Sequence, residues 1–343
     1  MKIVVAPDSF KECLSAWQVA RAMSGAILEL YPNAEVIAIP LADGGEGTLD
    51  VLGGPMGPHI ETVSVSDPLG RRVNARYGII GETAIIEVAE ACGLQLLSMA
   101  ERNPLLASSR GVGELIMDAC SKGCRHFIIG LGGTATCDGG MGMMSVPGLP
   151  EVLSKCEVEL LCDVKAPFLG PQGAARVFAP QKGASPEQVE LLEERMLRVA
   201  ADIKELTGID ISFMPCAGAA GGIAGALMAY AKARVCAGVK RVMELCGFFE
   251  AIRNVDLIIT GEGKSDAQTL MGKVPYGVLK HAAGNPVALL SGRIEDRAAL
   301  KRAGFHAIEE VSPRCLPLDK AMDPATALQN IHNAVLNLMA NDR

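Results

Sequence analysis

The sequence predicts an α/β protein: a parallel-sheet domain formed by both ends of the chain, with a mixed α/β domain inserted into it. Three observations lead there. At both ends, short apolar runs alternate with helical patterns. In the first half, three strand-like runs follow one another with no helix between them. Glycine is abundant, at 38 of 343 residues, and gathers where apolar runs stop.

The first run, 2–6 (KIVVA), ends in Pro7-Asp8-Ser9. Ser15 and Gln18 have the spacing of a capping box. Trp17, Ala20, Met23, Ile27 and Leu30 then recur on one helical face, until Pro32-Asn33 stops the helix. The next strand, 35–41, runs into Ala42-Asp43-Gly44-Gly45-Glu46-Gly47, and Thr48 opens a short helix. This β-α-β-α order argues for parallel strands. Runs 60–65, 72–80 and 84–88 are separated only by turns, at Asp67-Pro68-Leu69-Gly70 and Gly81-Glu82, so an antiparallel segment is expected. Helical periodicity returns over 112–120, and 125–129 and 158–161 read as strands. A long helix is expected over 186–207, its acidic face (Glu187, Glu190, Glu193, Glu194) turned to water. The alternation resumes with strand 255–260, Gly261-Glu262-Gly263, a helix through 276–283, strands 286–290 and 306–311, and a helix over 324–340. The expected domains are 1–63 plus 248–343, and 64–247.

Composition narrows the function. Hydrophobic residues make up 49% and charged residues 21%, which excludes disorder as the main state. A net charge of −7 and 4% aromatics, with one Trp17, argue against nucleic-acid binding. The expected partner is a small molecule, with homo-oligomerisation left open. Eleven cysteines are scattered without a CxxC pair, so a zinc site has little support and a reducing cytoplasm is expected. The N-terminus reads as a strand and not as a signal peptide. The charge-free stretch 211–231 contains Pro215 and much Gly and Ala. It reads as a buried loop and helix in preference to a membrane span. The five histidines (His59, His126, His281, His306, His332) are isolated and carry no ligand pattern.

The distinctive feature is a recurring unit, an apolar strand followed by glycine and a carboxylate. It occurs at Asp8, at 43–47, at Gly130-Leu131-Gly132-Gly133-Thr134-Ala135-Thr136-Cys137-Asp138-Gly139-Gly140, at Asp163, and at Gly261-Glu262-Gly263-Lys264-Ser265-Asp266. In a parallel sheet ligands bind beyond the carboxyl ends of strands. Glycine lets backbone N–H groups approach phosphate, while carboxylates hold Mg2+ or accept a hydroxyl proton. Together these parts describe phosphoryl transfer. Neither G-x4-G-K-[ST] nor G-x-S-x-G is present. The run Gly130-x-Gly132-x-x-Ala135 would serve a nicotinamide oxidoreductase only if it opened a helix, and Asp138-Gly139-Gly140 follows instead.

Several of these segments resemble the bacterial glycerate kinases of the two-domain type. They are Ala6-Pro7-Asp8-Ser9-Phe10-Lys11, Ala42-Asp43-Gly44-Gly45-Glu46-Gly47-Thr48, 132–140, Cys162-Asp163-Val164, 170–183, 218–222 (GAAGG) and Gly261-Glu262-Gly263 with Asp266 and Gln268-Thr269. They appear in order over nearly the whole chain. The resemblance implies ATP-dependent phosphorylation of D-glycerate with Mg2+, giving the 2-phosphate. It implies two α/β domains, the first flavodoxin-like, with the active site in the cleft between them. An altered-specificity or non-catalytic hydroxy-acid-binding relative is the alternative. It is motivated by Cys137, Lys264 and Ala166, which stand where the family has Asn, Arg and Asn. A chain much shorter than the family pattern between Gly142 and Glu157 adds to it.

The site assignment follows. Asp163, ending an apolar strand, is expected to be the general base, with Lys11 beside the phosphoryl group. Asp8, Ser9, Asp43, Glu46 and Arg110 are expected at the substrate. Gly132, Gly133, Thr134, Asp138, Gly139, Gly218, Gly221 and Gly222 would cradle nucleotide phosphates, with Glu262 and Asp266 near the nucleotide. Lys182 and Lys264 would neutralise developing charge, and Asp43 and Asp266 would hold the metal.

Overall fold

The computed structural model describes residues 1–53 and 57–341. In chain order the strands are β1 (Lys2–Val5), β2 (Glu35–Ala38), β3 (His59–Ser66), β4 (Arg72–Ile80), β5 (Thr83–Glu87), β6 (His126–Gly130), β7 (Glu157–Leu161), β8 (Arg234–Cys236), β9 (Leu257–Ser265), β10 (Val287–Ile294) and β11 (Ala307–Glu310). The chain divides into two compact units. One is Met1–Asp43 with the chain from Val239 onward, and the other is Gly44–Gly238. The first crossing lies after residue 43, where the sequence suggested 63. The reason is β3, which pairs with β4 along its whole length, from His59 opposite Ile79 to Ser66 opposite Arg72.

The terminal unit holds a five-stranded sheet in the order β11-β10-β9-β1-β2. Every pairing is parallel, with Ile3 set beside Val36 on one side and Leu257 on the other. Counted within the unit, this is the 2-1-3-4-5 order of flavodoxin-like sheets. The order reverses between β1 and β9, and that point controls where a ligand can enter. Helix Ala16–Leu30 begins at the Ser15–Gln18 capping box anticipated from the spacing. Its buried face (Val19, Met23, Ile27) joins Ile3, Val5, Ile259 and Leu290 of the sheet and Ile331 and Val335 of helix Pro324–Asn341 in one core. β2 spans Glu35–Ala38, short of the expected 41, although the Ile39 and Leu41 N–H groups still donate to the Val5 and Pro7 carbonyls (2.8 Å each).

The inserted unit holds a six-stranded sheet, β3-β4-β5-β6-β7-β8. Its first three strands are antiparallel and the rest parallel. Helix Pro186–Thr207 fills its expected span. It is capped by Ser185 with Gln188 and ended by Gly208 at φ +75°, and Val189, Leu192, Met196, Ala200 and Ile203 face inward. Stretch 211–231 contains a turn, Ala219–Gly222, and a helix of only eight residues, Ile223–Tyr230. Among the described residues no helix is long and apolar enough to cross a membrane. β6 does not lead into a helix at Gly130–Ala135. Thr134 bridges Gly93, and the next helix is the single turn Met141–Met144, so a dinucleotide loop has no helix to open. Only that turn and Leu149–Leu153 lie between β6 and β7.

Candidate functional site

A cavity of about 500 Å3 opens at the strand ends of the terminal unit. It lies where the strand order reverses, the place an open α/β sheet offers a ligand. Asp8, Ser9, Phe10 and Lys11 come from the loop after β1, and Asp43 from the chain after β2. Glu262, Gly263 and Lys264 come from the end of β9, and Arg293 from β10. Lys273 joins them, from just before helix Val274–His281.

Backbone geometry fixes these side chains. The Asp8 N–H donates to the Gly261 carbonyl (2.8 Å), and the Thr260 hydroxyl donates to the Ala6 carbonyl (2.7 Å). The loop after β1 is thereby tied to β9. A Cβ on Gly292 would strike the Gly263 carbonyl, so glycine is what lets β10 lie this close to β9.

The electrostatics are unusual. Asp8 is buried, and its carboxylate accepts the Ser9 N–H (2.7 Å). Burial, and next the charge of Asp43, raise it to about 7, while Ser9 N–H and Lys11 act in the opposite sense. Glu262 is also raised, by burial first. It accepts from the hydroxyls of Thr269 (2.5 Å) and Ser265 (2.9 Å) and meets Lys273 at 3.5 Å, all of which favour its charged form. Lys264 pairs with Glu295 at 2.9 Å, and Arg293 with Glu310 at 3.1 Å. One side of the cavity is thus acidic and the adjoining side cationic. Such a surface can take a hydroxyl, a phosphate and a hard cation.

Of the residues expected at the site, Asp8, Ser9, Lys11, Asp43, Glu262 and Lys264 line this cavity. Asp266 is not part of its lining. It caps the turn Ala267–Met271 by accepting the Gln268 N–H at 2.8 Å.

The other candidates belong to the inserted unit, where most are engaged internally. Asp138 accepts the Ser109 N–H and O–H (2.8 Å each), the Gly140 N–H (3.0 Å) and the Gly142 N–H (3.1 Å). Lys182 is buried and donates to the Thr134 hydroxyl (3.0 Å) and the Thr136 carbonyl (2.7 Å); burial pushes its pKa down. Gly139 and Gly140 pack on Val199, Phe168 and Ala226. Gly218, Gly221 and Gly222 are pressed against the backbone of Pro167, Thr136 and Gly139. Gly132 lies against Gly45, and Gly133 is exposed. Arg110 is exposed and paired with Glu114 (3.0 Å), and Glu46 is exposed. Asp163 is exposed at the end of β7 and accepts the Gly238 N–H (3.1 Å).

Two residues escaped the sequence reading. Lys273 stands alone between Gly272 and Val274, with no motif around it. Glu87 ends β5 and accepts the N–H groups of Gly47 and Leu49, which holds the 44–48 loop. Burial raises Glu87 to about 7 against those two bonds.

A nucleotide's Mg2+ asks for one or two carboxylates, the remaining ligands being phosphate oxygens and water. Among the described residues no cluster of three or more His, Cys, Asp or Glu is placed to hold a metal alone. The carboxylates at the cavity, Asp43 beside Asp8 and Glu262, supply hard oxygen donors of the type a shared ion needs.

Residues 3–150 and 144–341 match a family model described as the glycerate kinase family. Glycerate 2-kinase of Escherichia coli K12 is 38% identical, over 99% of this chain and 97% of its own length. Glycerate kinase of Halalkalibacterium halodurans is 38% identical, over 95% of this chain and 94% of its own. A crystal structure from Salmonella typhimurium LT2, provisionally named glycerate kinase 2, matches with a TM-score of 0.86 at 38% identity. It covers 99% of this chain and 98% of that one.

Proposed function

The chain belongs to the glycerate kinase family, and we propose that it transfers the γ-phosphoryl group of ATP to the 2-hydroxyl of D-glycerate. The observation that carries this reading to particular residues is the cavity at the β1–β9 switch point, where acids and cations from separate strands meet. Near-full-length identity to named kinases gives the non-catalytic alternative no support.

In the reaction the substrate oxygen forms a bond to phosphorus, the bond to the ADP oxygen breaks, and the hydroxyl loses a proton. We assign that proton to the Asp8 carboxylate. Asp8 is buried in the cavity, whereas Asp163 is exposed and accepts a backbone N–H. Asp43 and Glu262 crowd Asp8 with negative charge, so a proton is welcome there. Ser9 donates its backbone N–H to Asp8 and fixes the carboxylate's orientation. Lys11 and Lys273 place positive charge at the same end, where a transferring phosphoryl group needs it. Lys273 is held by Glu262, which Thr269 and Ser265 hold in turn. Mg2+, when bound with the nucleotide, would neutralise phosphate charge, with Asp43 as its carboxylate. All the cysteines are free thiols, which supports a reducing, cytoplasmic setting.

The test is ADP release measured over D-glycerate, L-glycerate and related hydroxy acids, with phosphorus NMR of the product. ADP release that requires D-glycerate, with a 2-phosphate product, is expected. No hydroxy-acid-dependent ATP consumption would overturn the reading.

A further inference from the structure

The cavity is larger and less polar than its substrate needs. Every carbon of D-glycerate bears oxygen, so that molecule has no apolar face to bury. A volume of about 500 Å3 is of the size that encloses a ligand of many more atoms. Phe10, Val311, Leu318, Ala321, Met322 and Ala327 nevertheless line it.

Strand order sorts the lining. Across the carboxyl ends, Asp43 follows β2, Asp8 follows β1, Glu262 and Lys264 end β9, Arg293 lies in β10, and Val311 follows β11. Lys11 also follows β1 and Glu295 follows β10, so charges of both signs fill the β2-to-β10 side, and the β11 end is apolar. The apolar end is completed by the connection 311–323, where Leu318 is 71% exposed although it lines the cavity.

We infer that this β11 end is the seat of the nucleobase of the phosphoryl donor, with the phosphates running past Arg293 and Lys264 toward Asp8. The inference rests on the phosphoryl-transfer reading for the identity of the occupant. A nucleotide is the ligand whose own order matches the wall. Its base is flat and apolar on its faces, its phosphates are anionic, and its reacting end meets the acids that share a metal and take the proton. Met322 offers a thioether, which packs well against aromatic rings and adapts to their shape. Glu295, also in the lining, accepts hydrogen bonds and suits a sugar hydroxyl between base and phosphates. In the glycine loops of the inserted unit, Gly139, Gly140, Gly221 and Gly222 lie against their own neighbours.

The test uses the full chain with ADP, inorganic triphosphate and D-glycerate as probes. Leu318→Asp and Met322→Asp put a charge on the apolar wall, and Met322→Leu preserves it. Leu318 is exposed, so its variant folds even if the Met322 variant does not. The first two should weaken ADP binding by calorimetry about tenfold or more. Met322→Leu should stay within about twofold of wild type. Inhibition by inorganic triphosphate and the KM for D-glycerate should not move. ADP affinity unchanged in Leu318→Asp and Met322→Asp would overturn the seat, as would a wild type that binds no ADP. A dimer abolished by Leu318→Asp, with ADP binding intact, would give the wall to a second copy and also overturn it. ADP binding that both variants weaken, in a wild type that consumes no ATP with any hydroxy acid, would sink the glycerate reading and leave the seat standing.

Discussion

The two units use the same sequence device, a strand followed by glycine and a carboxylate, to opposite ends. In the inserted unit the polar groups are used up by the chain itself. Asp138 takes four donors from Ser109, Gly140 and Gly142, Lys182 is sealed against Thr134 and Thr136, and paired glycines let two loops touch. In the terminal unit the corresponding groups line a cavity. Asp8 accepts one neighbouring N–H, stands close to two other acids in charge terms, and looks onto a cavity with Lys11 and Lys273. A glycine–acid strand end becomes a ligand site where its acid lines a cavity, as Asp8 does. Where the chain's own donors take the acid, as at Asp138, the same residues are a clamp.

The largest expected effect tests the open side. Asp8→Asn should lower kcat by roughly 10²–10⁴-fold, the range of a lost general base. Its melting temperature should hold or rise, because a buried charge crowded by Asp43 and Glu262 is removed. Asp163→Asn should keep kcat within a few-fold. A collapse of kcat in Asp163→Asn with Asp8→Asn active would move the base to the inserted unit.

The next effect tests the clamp. Gly221 has φ +64°, and a side chain there would drive into the Thr136 carbonyl. Gly221→Ala should cost about 2–4 kcal/mol of stability in urea unfolding. An unaltered midpoint would show that the loop has room, as a phosphate cradle would.

Glu87 sharpens the contrast through pH. Its folded pKa, about 7, is above the usual 4.5. For a raised group the contribution is fully present below 4.5 and is lost as pH rises through 7. The stability of wild type relative to Glu87→Gln should therefore fall between pH 4.5 and 8, by up to about 3 kcal/mol. Urea titrations at both ends of that window check it, and a pH-independent difference would contradict it. The smallest effect is at the rim. Lys264→Ala breaks an exposed pair with Glu295, so the melting temperature should not change measurably while KM for ATP rises.

The sequence disclosed the parallel terminal sheet through its apolar runs and the Ser15–Gln18 box, and the 186–207 helix through its amphipathic pattern and acidic outer face. Local rules decide such features. It did not disclose β8, whose three residues are too few to show a period, or the domain crossing, which depends on β3 choosing β4. The site was half legible for the same reason. The glycines and acids at Asp8, Asp43 and Glu262 mark strand ends. Whether such an end stays open depends on partners far along the chain, as Ser109 closes on Asp138 and Thr134 on Lys182. Lys273 was hidden because only the fold brings it to Glu262.

The contrast between an open and a spent strand end is tested most directly by measuring kcat and melting temperature together for Asp8→Asn and Asp138→Asn. Asp8→Asn is expected to lose activity at least about a hundredfold with its melting temperature intact. Asp138→Asn is expected to keep its kcat below its lowered melting temperature, having lost about 2–3 kcal/mol of charge-assisted hydrogen bonding. The reverse outcome, an inactive but fully stable Asp138→Asn beside an active Asp8→Asn, would contradict it.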